Sequence, residues 1–170
     1  MTALRIDVFS LFPSLVYAFC AESLLGRARG TGLLDLRCHD IREQTTDVHR
    51  TVDDAPFGGG AGMGRMSEPV DKRLTDLFAA RKYDEVIYMT PDAQRLDQQC
   101  ANQLSTAENL IILTGHYKGV DQRIRDAYIT KEISIGDYVL SGGELAAAVL
   151  CDAVIRLIPG VLGDETSELT

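Results

Sequence analysis

The sequence predicts an α/β fold in which helices flank a mostly parallel sheet. Short apolar segments typical of buried strands alternate along the chain with segments of helical spacing. Glycine and proline residues separate the two kinds of segment, as expected for turns. At 170 residues, the chain is long enough to form one domain with a substantial core.

The first half contains two predicted strands and two predicted helices. Residues 4–8 and 34–38 alternate apolar and polar side chains, which indicates half-buried strands. A helix is predicted over 13–26, because its first residue is a proline, which is favoured at that position. Residues 39–66 have no apolar period and are predicted to form a long loop, of the kind that usually carries function. A second helix is predicted to begin at Glu68.

Two continuous apolar runs predict buried strands in the second half, at residues 86–89 and 110–113. The first is predicted to end at Thr90, because the residue before a proline avoids the helical conformation. Residues 96–104 have helical spacing and are predicted to connect the two strands.

The C-terminal part predicts two more helices. A short helix over 120–127 leads into an extended stretch over 128–135. Ser141 and Glu144 have the spacing of a capping box, in which both side chains bond to the first turn of a helix. That helix is predicted to continue until Pro159 ends it.

Composition restricts the function class only loosely. The net charge of −8 argues against a general nucleic-acid binder, which carries a basic surface. It does not exclude an RNA enzyme with local basic groups, although such groups can also be solvated faces. No apolar run is long enough to span a membrane, and the N-terminus does not resemble a signal peptide. Four separated cysteines indicate buried reduced thiols in a cytoplasmic protein, and the histidines predict no metal site.

Glycine is concentrated in residues 58–64, which form neither a P-loop nor a dinucleotide-binding fingerprint. Glycine density alone indicates a flexible tether. The neighbouring Asp53, Met63 and Arg65 also fit a loop that closes over a flat ligand.

Three further segments, 90–94, 115–119 and 134–138, each follow a predicted strand at its carboxyl end. Ligands of open α/β sheets bind at this edge, so the three loops predict a small-molecule site, although each glycine in them can also serve only a turn. No hydrolytic motif is present. Arg156 lies near the end of a predicted helix, where it can offset the helix dipole or stabilise negative charge on a substrate.

These segments resemble the bacterial tRNA (guanine-N1)-methyltransferases of the SPOUT superfamily. The similar segments are TVDDAPFGGG at 51–60, SIGDYVLSGGEL at 134–145 and DAVIRLIPGVLG at 152–163, together with Thr90-Pro91 and Gly115 to Arg123. The resemblance extends from the first strand to Gly163.

The resemblance implies a C-terminal trefoil knot and a homodimer whose active site lies at the subunit interface. Residues 1–163 would form the catalytic domain that binds S-adenosylmethionine, and residues 164–170 would begin the linker to a tRNA-binding domain. The implied partner is tRNA, with no DNA or membrane involved. The donor-binding residues by motif are Thr90, Pro91, Gly115, Ile135, Gly136, Asp137, Tyr138, Val139, Leu140, Gly142 and Gly143. The implied substrate-binding residues are Asp53, Gly58, Gly59 and Gly60.

The implied reaction transfers a methyl group to N1 of the guanosine immediately 3′ of the tRNA anticodon. Arg156 would stabilise negative charge on O6, while an aspartate removes the N1 proton. By spacing, that aspartate is expected just past Thr170, so this chain is expected to bind donor but to methylate tRNA slowly. Other carboxylates that could serve instead are Asp137, Asp152, Asp164, Glu165 and Glu168.

Two positions depart from the family pattern. His116-Tyr117-Lys118 stands where the family commonly has Arg-Tyr-Glu, and Ala146-Ala147 replaces Pro-Ala. The residues assign no site to Mg²⁺. The alternatives are a related knotted methyltransferase acting on a ribose or another base, and a non-catalytic RNA- or nucleotide-binding module.

Overall fold

The computed structural model describes residues 2–41, 60–115 and 122–162, without the side chains of 60–69. Five strands and six helices lie within these ranges. The strands are β1 (Leu4–Ser10), β2 (Leu34–Asp40), β3 (Glu85–Arg95), β4 (Asn109–Thr114) and β5 (Lys131–Ser134). The helices are α1 (Pro13–Phe19), α2 (Ser23–Gly30), α3 (Gly60–Ala80), α4 (Gln98–Leu104), α5 (Gln122–Tyr128) and α6 (Glu144–Ile155).

The strands form one sheet in the order β2-β1-β4-β3-β5, and every pair in it is parallel. Strand β1 lies between β2 and β4, and it places Ile6 opposite Leu36 on one side and Leu110 on the other. The predicted α/β fold with a parallel sheet is therefore confirmed. Because all strands run in one direction, their carboxyl ends meet at a single edge.

Apolar side chains cover both faces of the sheet. Helices α1, α2, α4 and α6 pack on one face, where Ile6, Ile112 and Leu150 belong to one buried cluster. Helices α3 and α5 pack on the other face, around Phe9 and Ile111. Strand β4 is buried on both sides, which explains why it is a continuous apolar run in the sequence.

A charged network lies beneath the α3 face, centred on the fully buried Asp7. Arg5 donates two hydrogen bonds to its carboxylate, at 2.9 and 3.0 Å, and Tyr83 donates another at 2.5 Å. His39 Nε2 lies 2.7 Å from the same carboxylate. Burial alone would raise the pKa of Asp7, but the hydrogen bonds from His39, Arg5 and Tyr83 outweigh it and hold the pKa below its usual value. The network ties β1 to β2 and to the start of β3.

Three predictions in the first half are wrong in their bounds. The predicted helix over 13–26 is two helices, and Ser23 opens the second with a φ of 59°. Gly26 lies inside α2, where any side chain would come within 2.4 Å of the Ala21 carbonyl oxygen. The predicted loop over 39–66 is too long at both ends, because β2 extends to Asp40 and α3 begins at Gly60 rather than Glu68.

Strand β3 does not end at Thr90 as predicted. It continues to Arg95, with a shift in its pairing to β5 between Met89 and Gln94. Pro91 falls within this shift, where the ladder has no regular pairing for it to interrupt. Helix α4 begins after Asp97, whose carboxylate accepts a hydrogen bond from the Cys100 amide at 2.8 Å. Helix α6 ends at Ile155, before the predicted stop at Pro159.

The cysteines are unpaired, but only Cys20 and Cys151 are buried as expected, whereas Cys38 and Cys100 are half-buried. Burial raises the pKa of the Cys38 thiol to about 12, which keeps it protonated at neutral pH. Within the described ranges, no helix is long and apolar enough to cross a membrane.

Candidate functional site

A cavity of about 370 Å³ opens at the carboxyl ends of β4 and β5, beside the stretch of β3 where its pairing shifts. This volume lies within the usual range for small-molecule sites, roughly 300–1,000 Å³. All of the predicted donor-binding residues line it except Asp137, which is exposed. The predicted residues in the lining are Thr90, Pro91, Gly115, Ile135, Gly136, Tyr138, Val139, Leu140, Gly142 and Gly143. Described residues from all three segments that the sequence placed at this edge therefore line one site, and Gly115 is the one that represents 115–119.

The Tyr88 ring packs against Gly115 at the base of the cavity. A side chain at position 115 would lie 2.8 Å from two atoms of that ring, so only glycine fits while the ring stays in place. Tyr88 is itself 5% exposed and belongs to the cluster beneath α3 and α5. The backbone of Gly115 is therefore held against the cavity by the core behind it.

A tight turn after β5 shapes the second loop. The Ser134 hydroxyl accepts a hydrogen bond from the Gly136 amide at 3.0 Å and donates to the Gly136 carbonyl at 2.9 Å. A side chain at position 136 would lie 2.2 Å from the Tyr138 ring. Tyr138 and Val139 are exposed at 52% and 79%, so this loop presents apolar surface at the mouth of the cavity.

The third loop joins the start of α6 to the end of β4. The Gly143 amide donates to the Gly115 carbonyl at 2.9 Å, and a side chain at 143 would come within 2.9 Å of the Thr114 backbone. The predicted capping box is wrong here. Gly143 is the N-cap residue and no side chain caps the helix. Glu144 instead turns into the protein and is 5% exposed, because hydroxyl groups from the sheet bond its carboxylate.

A cation lies at the rim of the cavity. Arg125 is 5.2 Å above the centre of the Tyr88 ring and donates two hydrogen bonds to Glu132, at 2.5 and 2.8 Å. The hydrogen bond from Arg125 lowers the pKa of Glu132 and raises that of Arg125, so both stay charged at neutral pH. The pair links α5 to β5 beside the cavity.

Arg156 lies outside the cavity. It caps the C-terminal end of α6, whereas Gly143 at the N-terminal end of the same helix lines the cavity. The helix has 12 residues, which at about 1.5 Å per residue separates its ends by about 18 Å. Arg156 therefore lies at the opposite end of α6 from the residues of that helix that line the cavity.

Several predicted residues cannot be located. Asp53, Gly58, Gly59 and Lys118 lie outside the described residues, and Gly60 is the first residue of α3. In the ranges that are described, no three histidine, cysteine or acidic side chains are grouped as metal ligands would be.

Sequence reasoning missed three residues at this site. Tyr88 was assigned only to a buried strand, and Arg125 belongs to the local basic groups, for which the sequence left an RNA-binding role and a solvated face open. The polar ring in an otherwise aliphatic strand is a signal that could have identified Tyr88. For Glu144 the local pattern pointed to a capping role, and its true partners are distant in the sequence.

Comparisons with known proteins agree with this geometry. The chain matches the family described as tRNA (Guanine-1)-methyltransferase TrmD over residues 4–170. It is 59% identical to a tRNA (guanine-N(1)-)-methyltransferase of Christiangramia forsetii, over 98% of this chain and 74% of the relative. Proteins with the same description in Flavobacterium johnsoniae and Cytophaga hutchinsonii are 57% and 58% identical, over 98% of this chain and 74% and 71% of their own lengths.

The match covers every strand and every loop that forms the cavity. The chain therefore belongs to the tRNA (guanine-1)-methyltransferase TrmD family.

Proposed function

We propose that this protein is an enzyme that transfers the methyl group of S-adenosylmethionine to N1 of the guanosine immediately 3′ of a tRNA anticodon, in the cytoplasm. The observation that carries this proposal is the convergence of the predicted donor-binding loops on one cavity. Close relatives that carry the name of this activity support the substrate class.

The lining of the cavity suits the donor. Glycines at 115, 136, 142 and 143 bring the backbone to the cavity wall without side chains, so a ligand can approach it closely. The Gly136 amide and carbonyl, the Gly115 carbonyl and the Gly143 amide already bond within the protein, which leaves the other backbone groups of the lining to bond an adenine ring and an amino-acid group. Ile135, Leu140 and Ala146 add apolar surface for the flat ring. When bound, the donor supplies an electrophilic methyl group on a positively charged sulfur.

Activation of the acceptor requires two more groups. N1 of guanine carries a proton and is a poor nucleophile until a base removes it. Negative charge then develops on O6, where the guanidinium of Arg156 stabilises it. An aspartate of the family's linker remains our candidate for the base.

The position of Arg156 supports a homodimer with a shared active site. Arg156 lies about 15 Å along α6 from Ala146, which lines the cavity of the same chain, so a second copy that places its Arg156 at this cavity would complete the site. An apolar patch on α1 and α6 offers the surface for this contact. Its side chains are 40–47% exposed: Phe12, Leu15, Phe19, Leu145 and Val149. Exposed apolar side chains grouped on two packed helices are typical of an interface.

The path of the chain after β5 supports the expected trefoil knot. Strand β5 is at the edge of the sheet, yet the next segment returns to β4, where Gly143 bonds Gly115. Arg27 of α2 then donates to the Val161 carbonyl at 2.9 Å, which holds the segment after α6. We expect the C-terminal part of the sheet to thread through a loop of the chain.

Product analysis tests the reaction. An excess of protein is incubated with labelled donor and a tRNA transcript with guanosine 3′ of the anticodon, so that slow turnover still yields product. After nuclease digestion, mass spectrometry should detect 1-methylguanosine. A transcript with adenosine at that position should stay unlabelled, and Arg156→Ala should reduce the rate about 100-fold or more. A 2′-O-methyl nucleoside or another methylated base would contradict the proposal.

A further inference from the structure

Glu144 is a buried carboxylate to which the reaction described above assigns no role. It is the first residue of α6 and is 5% exposed, although it makes no helix cap. Ionised side chains are rarely buried unless specific partners compensate for the lost hydration. Its partners therefore indicate what this carboxylate does.

Oxygen Oε2 of Glu144 bonds two different strand ends. The Ser10 hydroxyl at the end of β1 donates to it at 2.6 Å, and Ser10 in turn accepts from the Phe12 amide at 2.8 Å. The Thr114 hydroxyl at the end of β4 lies 3.0 Å from the same oxygen and 2.5 Å from the Phe9 carbonyl. One carboxylate oxygen thus joins the carboxyl ends of two neighbouring strands.

Oxygen Oε1 faces Gly142, one of the glycines that line the cavity. A side chain at Gly142 would approach it to 2.6 Å, so the backbone of Gly142 lies directly against the carboxylate. The adjacent Gly143 packs on the Thr114 backbone and bonds Gly115. The carboxylate is therefore enclosed between the strand ends and the glycine pair.

We propose that Glu144 is a positioning residue, whose carboxylate fixes the Gly142-Gly143 backbone against Gly115 in the geometry that binds the methyl donor. The inference rests on the proposed function for the identity of the donor. It goes further in naming a residue that does not itself line the cavity. A side chain retained only for stability would be replaceable by an apolar one of similar volume, because apolar replacements of buried charged groups are often neutral or stabilising.

Two variants of Glu144 separate positioning from stability. Glu144→Gln keeps one oxygen that can accept from Ser10 and Thr114, whereas Glu144→Met keeps the volume without any acceptor. Leu150→Ala is the matched control, because Leu150 is on the same helix, is 1% exposed in the core and does not line the cavity. All variants are compared with the unmodified chain at a temperature where thermal unfolding shows each to be folded.

The first readout is the affinity for S-adenosylmethionine by calorimetry. Glu144→Met should bind about 10-fold more weakly or worse, as expected when a buried charged hydrogen-bonding group is lost. Glu144→Gln should stay within about 3-fold of the unmodified chain, by retaining its acceptor. Leu150→Ala should melt at a lower temperature yet bind the donor normally.

The second readout does not need the donor. Amide hydrogen exchange of Gly143, which donates to Gly115, should be faster in Glu144→Met than in Leu150→Ala. The proposal would be overturned if Glu144→Met changed neither the exchange rate of the Gly143 amide nor the affinity for S-adenosylmethionine. It would also be overturned if Glu144→Gln bound S-adenosylmethionine as weakly as Glu144→Met. If the unmodified chain binds no donor, the proposed function fails, while the exchange data still test the contact itself.

Discussion

Gly143 should be among the least replaceable residues of the cavity, and Gly143→Ala tests this. The backbone at Gly143 has φ −89° and ψ 0°, which alanine tolerates, so the substitution introduces only a steric effect. The new Cβ would lie 2.9 Å from Thr114 Cα and 3.0 Å from the Gly115 amide nitrogen. Ordinary contacts between such atoms are about 3.5–4.0 Å, so backbone must move rather than a side chain.

The expected cost follows from two effects. Overpacking costs about 1–3 kcal/mol, and weakening the 2.9 Å hydrogen bond from Gly143 to Gly115 adds about 1 kcal/mol. For a domain of this size, a loss of about 2–4 kcal/mol lowers the melting temperature by about 5–15 °C. Because the displaced backbone lines the cavity, affinity for S-adenosylmethionine should also fall by about 10-fold or more.

Differential scanning fluorimetry and calorimetry measure both effects. Gly30→Ala is the control, because a side chain there meets no atom within 4 Å and alanine favours the helix. It should be neutral or slightly stabilising and should bind donor normally. If Gly143→Ala melted and bound like the control, the close approach of the third loop to β4 would not be what forms the cavity.

Three further perturbations test separate parts of the structure. Because the pKa of Asp7 is lowered in the folded state, its contribution to stability is complete above its unfolded pKa of about 4 and is lost as the pH falls through the folded value. In urea titrations, the free energy of unfolding should therefore fall as the pH is lowered from 6, and it should fall less in Asp7→Asn than in the unmodified chain. Equal falls in the two proteins would refute this. Asp97→Ala removes the cap bonded to the Cys100 amide and should cost about 1 kcal/mol in the same assay, so no loss would contradict the capping role. Val149→Asp places a charge in the exposed apolar patch. Sedimentation should report a dimer for the unmodified chain and a monomer for the variant. A variant that remained dimeric would locate the interface elsewhere.

Local patterns predicted the sheet well because its strands are short and strongly apolar. Residues 110–113 form the core of β4 as expected, and Gly115 after β4 meets the turn after β5 because parallel strands end at one edge. The segment 90–94, predicted to follow β3, lies within that strand instead, although Thr90 and Pro91 line the same cavity. The family resemblance supplied the identities of the lining residues. It also supplied the roles of Arg156 and the donor, which no local pattern could reveal.

Long-range contacts account for the failures. Ser141 and Glu144 fit a capping box, but Ser10, 134 residues from Glu144, provides a partner that draws the carboxylate into the core. Pro91 was expected to end a strand, yet an irregular stretch of β3 accommodates it and pairing resumes. The apolar patch on α1 and α6 was missed because it becomes continuous only when the two helices pack together. In each case, residues distant in the sequence decide the outcome.

The central claim is that the methyl donor binds where β4 and β5 end, beside the irregular stretch of β3, and glycine-selective ¹⁵N NMR tests it most directly. During titration with S-adenosylmethionine, the amide signals of Gly115, Gly136, Gly142 and Gly143 should shift together and saturate at one donor per chain. The signal of Gly30, which lies in α2 and does not line the cavity, should stay in place. Saturable binding that shifted Gly30 and left the four cavity glycines unchanged would contradict the account.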